Sequence, residues 1–181
     1  MVQCAVFGVM SVTAGGTDPV TNSVPHQELE LRVKAGFLFT FAKYVNWPAD
    51  AFVASSNTVV IGVVGRDPFG TVLDAAVAGK LVNGLPVRIE RYAEWKDVGV
   101  CQVLFVAEPG KDPMGKPGVL TVSDAEGFVR RGGHIQLVVE QGRVRFDVNL
   151  RAVKQAGLQL DANLLRVARR VDQRAPQPEG K

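Results

Sequence analysis

The chain has 181 residues, 46% hydrophobic and 22% charged, a composition that excludes a disordered or fibrous chain and allows one sizeable core. The formal net charge is +3, and Arg166 to Lys181 carries five basic residues against Asp172 and Glu179, so everything before that segment is balanced. A nucleic-acid binder needs a concentrated basic face, and the one arginine cluster is Arg166, Arg169, Arg170 and Arg174, so nucleic acid is not an expected partner.

Val2 to Gly16 (VQCAVFGVMSVTAGG) is apolar and rich in small residues, like the core and cleavage end of a secretory signal, although a positively charged start is missing. It is shorter than the about 20 apolar residues that cross a bilayer. The mature protein is therefore expected to be soluble and exported, with Cys4 a leader residue that is removed. Cys101 is then the only mature cysteine, which allows no internal disulfide and says nothing of the redox compartment. Thr17 to Pro25 (TDPVTNSVP) reads as a polar arm. Residues 1–25 are thus leader and arm, 26–173 one domain, and 174–181 a tail disordered by composition.

Leu31, Ala35, Leu38, Ala42 and Val45 recur at helical spacing, with Phe37, Phe41 and Tyr44 beside them, and predict a long buried helix that Trp47-Pro48 ends. Thr58 to Val64 is a continuous β-branched run, the pattern of a strand covered on both faces. Asp67-Pro68 matches an N-cap followed by proline at the first helical position, with the helix over Thr71 to Ala78. Asn83-Gly84 is a turn signal ahead of the alternating strand Leu85 to Tyr92. Gln102 to Val106 and Val119 to Val122 read as central strands. His134 to Glu140 and Val144 to Asn149, joined at Gln141-Gly142, read as a hairpin. Asn149 caps a short helix to Ala156, and Asn163 to Val171 predicts a last helix with Leu164, Leu165, Ala168 and Val171 inward. The fold class expected is α/β: a single-domain three-layer sandwich whose mixed, mostly parallel sheet has about six strands, ends in an antiparallel hairpin and is flanked by helices.

Catalytic chemistry is poorly supplied. Gly65 to Thr71 (GRDPFGT) sits after a strand and before a helix, where phosphate loops lie, but lacks the Lys-Ser/Thr pair of a Walker loop and the G-x-G-x-x-G spacing; a capped βα turn is the preferred reading, with an anion on the helix amides and Arg66 as the alternative. The histidines are His26 and His134, and a Cys101/His134 dyad is a weaker reading than a packed thiol and a strand-edge imidazole. No grouping has metal-ligand spacing. Ser123 to Phe128 with Gly132-Gly133 follows a strand at the end where open α/β sheets gather ligand loops; the competing reading is a turn capped by Asp124, with the glycines supplying special backbone angles. The candidate ligand contacts are Arg66, Asp67, Ser123 and Asp124. Trp47 and Phe52 are the candidate partner surface, with core packing the preferred alternative. No cofactor, metal or catalytic residue is expected.

VKAGFLFTFAKYVNWP (Val33 to Pro48), IGVVGRDPFG (Ile61 to Gly70), CQVLFVAE (Cys101 to Glu108) and the Ser-Asp, Gly-Phe, Gly-Gly, Phe-x-x-Asn and Ala-Gly-Leu landmarks between Leu120 and Ala168, taken in order, resemble the YfiR-like family over Leu29 to Val171. The resemblance implies a periplasmic α/β protein, often dimeric and without catalytic residues. Such a protein holds an inner-membrane diguanylate cyclase inactive by binding its periplasmic part, and its release promotes biofilm. In the family's better-known member an outer-membrane lipoprotein sequesters the repressor, and disulfides confer redox sensitivity. This sequence departs in having Cys101 as the one domain cysteine and a short loop from Pro109 to Pro117.

Overall fold

The computed structural model describes residues 26–48, 51–52, 57–110 and 115–172. The leader-like segment and arm and the tail at 174–181 lie outside them. The chain forms α1 (His26–Tyr44), β1 (Val45–Asn46), β2 (Val59–Val64), α2 (Thr71–Val77), β3 (Leu81–Val82), β4 (Leu85–Tyr92), a 3-10 turn (Trp95–Asp97), β5 (Val103–Val106), β6 (Leu120–Ser123), β7 (Ile135–Glu140), β8 (Arg143–Asn149), α3 (Leu150–Gln155), β9 (Gln159–Leu160), α4 (Ala162–Val167) and β10 (Arg170–Asp172).

The main sheet has eight strands in the order β10-β8-β7-β6-β5-β2-β4-β3. From β4 through β2, β5 and β6 to β7 the strands run parallel, and β8 returns antiparallel to β7. This is the expected single α/β domain. The six expected strands are its centre, and the short edge strands β3 and β10 complete it. Both two-residue turns expected from sequence form with positive φ: Asn83-Gly84 and Gln141-Gly142, the geometry that matches strand twist in tight hairpins.

Alternation along the strands makes two cores. Val59, Ile61 and Val63 of β2, Val103 and Phe105 of β5 and Phe146 of β8 meet Ala35, Leu38, Phe41 and Ala42 of α1 and the inward residues of α2, α3 and α4. Val60, Val64, Leu104 and Val106 point the other way, onto Val98, Cys101, Val119 and Phe128. The 3-10 turn and the turns between β6 and β7 cover that second face, so the third layer of the sandwich is mostly irregular. Gly62 belongs to this face: a Cβ there would meet Leu104 at 2.9 Å and Tyr92 at 3.0 Å.

Three local expectations change. The last helix stops at Val167 instead of Val171, because the Arg169 N–H donates to the Phe146 carbonyl at 2.8 Å and the chain joins the sheet as β10. Asp67 does not cap α2. Its carboxylate accepts the Phe69 N–H at 2.7 Å one turn earlier, the helix begins after Gly70 with no side-chain cap, and Phe69 is turned into the core edge-on to Phe105. The turn after β6 is capped by Ser123, whose Oγ accepts the Ala125 N–H at 3.1 Å, and not by Asp124.

Candidate functional site at the carboxyl edge of the sheet

From β2 the chain crosses by α2 to β4 on one side, and β5 lies on the other side of β2. Loops leaving the carboxyl ends of β2 and β5 therefore diverge, which opens a crevice between them as in other open α/β sheets. Gly65 (φ 86°) makes the exit from β2. On the helical side of this crest lies a cleft of about 390 Å³, lined by Leu31 of α1, Arg66, Asp67, Phe105, Glu108 and Asp124 among others. On the other side a second cleft of about 390 Å³ is walled by Gly65, Glu94, Trp95, Lys96 and Glu108.

The charges at the first cleft differ in how far they are committed. Asp67 accepts from Phe69 N–H and from Arg91 Nε, both at 2.7 Å. Arg91 also reaches Asp74 at 2.6 Å and the Gly70 carbonyl at 2.9 Å. Its hydrogen bonds hold the Asp74 carboxyl below its ordinary range, while Asp74 and Asp67 raise the guanidinium pKa further. Asp124 is paired with Lys34 at 2.7 Å, and Lys34 also bridges to Glu30 of its own helix at 2.7 Å. Burial by itself would lower the Lys34 pKa, but the hydrogen bonds that Lys34 donates to Asp124 and Glu30 outweigh it and raise it. Arg66 is exposed and has no ion-pair partner among the described residues. It is the cation lining this cleft that no carboxylate holds.

The structure thus brings Arg66, Asp67 and Asp124 to one cleft. Ser123 is fully buried beneath them, with its hydroxyl donating to the Val106 carbonyl at 2.7 Å. Trp47 and Phe52 are half-buried against the helical core, and the Trp47 indole donates to the Ala42 carbonyl at 3.1 Å. Cys101 is free and buried, and burial pushes its thiol up to about 12, so it stays a thiol at neutral pH. The imidazole of His134 is buried and pushed down to about 4. Neither group is poised as nucleophile or base. Among the described residues no group of three or more His, Cys, Asp or Glu side chains gathers to hold a metal, and no helix is long and apolar enough to cross a membrane.

Sequence reading missed Lys34 and Arg91, since each gains its role from a partner remote in the chain. The carboxylate Asp147 is buried, not a solvated turn charge, and is held by Arg169 Nε at 2.7 Å toward the β10 edge of the sheet.

The model of the YfiR/HmsC-like family matches residues 31–169. The chain belongs to that family. Its match spans the folded body from α1 to the entry into β10. No curated protein matches the sequence. Among solved structures, the ABC domain in complex with L-Trp from Streptococcus pneumonia is similar at 12% identity and a TM-score of 0.44, over 76% of this chain and 62% of that one. A conserved domain protein from Vibrio cholerae O1 biovar eltor is similar at 13% identity and a TM-score of 0.44, over 82% and 60%. The YfiR/HmsC-like chain therefore spans about three fifths of the length of each.

Proposed function

We propose that this YfiR/HmsC-like protein is a periplasmic regulator that binds the periplasmic part of an inner-membrane diguanylate cyclase and holds it inactive. The observation that carries the reading is the family match over residues 31–169. The inert chemistry of Cys101 and His134 agrees with action by binding. Export through the leader-like start, sequestration by an outer-membrane lipoprotein and homodimer formation belong to the same reading. Control through internal disulfides does not, because the one described cysteine is buried and free. The test is cross-linking and co-purification from a periplasmic extract, with cellular cyclic di-GMP measured in a deletion strain. A membrane cyclase among the partners and a rise in cyclic di-GMP are expected. Recovery of the protein from the cytosol alone, with cyclic di-GMP unchanged, would overturn the reading.

A second reading rests on Arg66, the uncommitted cation of the crest cleft: the protein senses a small anionic ligand there. A ligand that binds the native state raises its melting temperature. A thermal-shift screen with nucleotides, amino acids and phosphates is expected to give a rise that Arg66→Ala abolishes. No rise with any of them at high concentration counts against it.

A further inference from the structure

The turn that joins β6 to β7 stacks two arginines over a residue that has no side chain. The Arg131 N–H donates to the Gly127 carbonyl at 3.1 Å, which closes one helical turn and brings residues 130 and 131 over residue 127. Gly127 sits in the left-handed region at φ 72° and leaves a gap where a Cβ would stand. Both guanidiniums lean into that gap: Arg131 Nη1 is 3.0 Å and Arg130 Nη2 3.1 Å from the Cβ position. The backbone beneath them is fixed. Phe128 is fully buried in the second core, its carbonyl accepts the Gly133 N–H at 3.0 Å, and the Val129 carbonyl accepts from the Asn149 side-chain amide at 2.9 Å. The stretch that carries the two arginines is therefore set before any ligand arrives, which lowers the cost of ordering a site there.

Two positive charges drawn to one point repel each other unless something negative stands between them. Arg131 Nη1 donates to the Glu126 carbonyl at 2.8 Å, a neutral acceptor that leaves its charge in place. Arg130 has no hydrogen-bond acceptor among the described residues, and no carboxylate among them pairs with either guanidinium. Arg91 differs, since the charges it meets are those of Asp67 and Asp74. Two planar guanidiniums that face one point with N–H donors left over match an oxyanion to which each can fork. A phosphate suits the pair better than a carboxylate, because it carries about two negative charges and offers three oxygens, enough for one fork from each arginine.

We propose that Arg130 and Arg131 clamp a phosphate group on this turn, and that Gly127 is the residue whose missing side chain lets them converge. The site lies apart from the crest cleft, which neither arginine lines, and it rests on neither reading given above. The phosphate can be free in solution or part of a lipid headgroup, and two arms tell these apart. In one, inorganic phosphate is titrated into the full chain at constant ionic strength while the amides of residues 126 to 131 are followed by NMR. In the other, the chain is sedimented with phosphatidylglycerol vesicles. A saturable shift with phosphate marks a free ligand; sedimentation without that shift marks the headgroup. Arg130→Gln and Arg131→Gln should each weaken the positive arm about tenfold, the loss of one charge-assisted contact. Arg88→Gln removes an exposed charge on β4 and should leave it unchanged. Gly127→Ala keeps both charges, sets a methyl where they converge and should weaken binding several-fold. Alanine is strained at a positive φ, so the two exposed arginines carry the test if Gly127→Ala does not fold. Binding in neither arm, or binding that Arg130→Gln and Arg131→Gln weaken no more than Arg88→Gln does, would overturn the proposal.

Discussion

Gly133 shows how tightly the irregular third layer is built. A Cβ there would lie 2.2 Å from the ring of Phe128, itself fully buried, and the ring has no free end to swing aside. Its neighbour Gly132, at φ 104°, supplies the backbone angle that sequence reading assigned to the pair, while Gly133 supplies room. Gly133→Ala is expected to cost about 1–3 kcal/mol by overpacking, read as a lower denaturation midpoint at unchanged slope. His134 makes stability depend on pH. Its native pKa is pushed down to about 4 from an ordinary 6.5. Between those values the unfolded chain binds a proton that the native chain excludes, so stability is whole above pH 6.5 and falls as pH drops toward 4, by on the order of 3 kcal/mol. Urea melts at pH 7 and near pH 4.5 should show this loss, and His134→Asn should flatten it. An equal slope in the variant would assign the loss to other groups.

Among the elements, β10 is where local preference yields to tertiary structure. Leu164, Leu165 and Ala168 do pack against the helical core, as helical spacing predicts. The helix nevertheless ends at Val167, because Arg169 gains a sheet hydrogen bond and a carboxylate partner, Asp147, whose side chain is 7% exposed. A carboxylate that deep is costly without its cation. Arg169→Ala is expected to cost about 2–4 kcal/mol, and to release the amides of Arg170–Asp172 to rapid hydrogen exchange. Arg91 makes a comparable set of bonds to Asp67 and Asp74, but Asp74 is 50% exposed. There water screens the charges, and Arg91→Ala should cost about 1 kcal/mol or less. Denaturation of the two variants side by side checks the contrast; equal costs would mean that burial does not set the value of these pairs.

On the scale of the whole molecule, one sheet separates a helical face from an irregular one and places two clefts at its carboxyl end. Its centre, β2, β5 and β6, is fully buried, whereas β3 and β10 are short and partly exposed. Hydrogen exchange should follow this order: central amides open only with global unfolding, edge amides by local fraying at lower free energy. Central amides that exchange as fast as those of β3 would contradict it. The sequence by itself was enough for the α/β class, the six central strands, the long first helix, both glycine turns and the family landmarks. Each of those rests on periodicity or on turn residues adjacent in the chain, which need no knowledge of distant partners. It also marked Arg66, Asp67 and Asp124, since loops after strands gather at one end of a parallel sheet. Only tertiary structure decided that Asp67 and Asp124 are held by Arg91 and Lys34 while Arg66 is left over, that Ser123 lies beneath the cleft, and that His134 is buried with its Nδ1 accepting the Thr121 N–H. Those outcomes depend on which side chains meet across 13 to 90 positions of chain, and pairings at that separation leave no periodic trace in a single sequence.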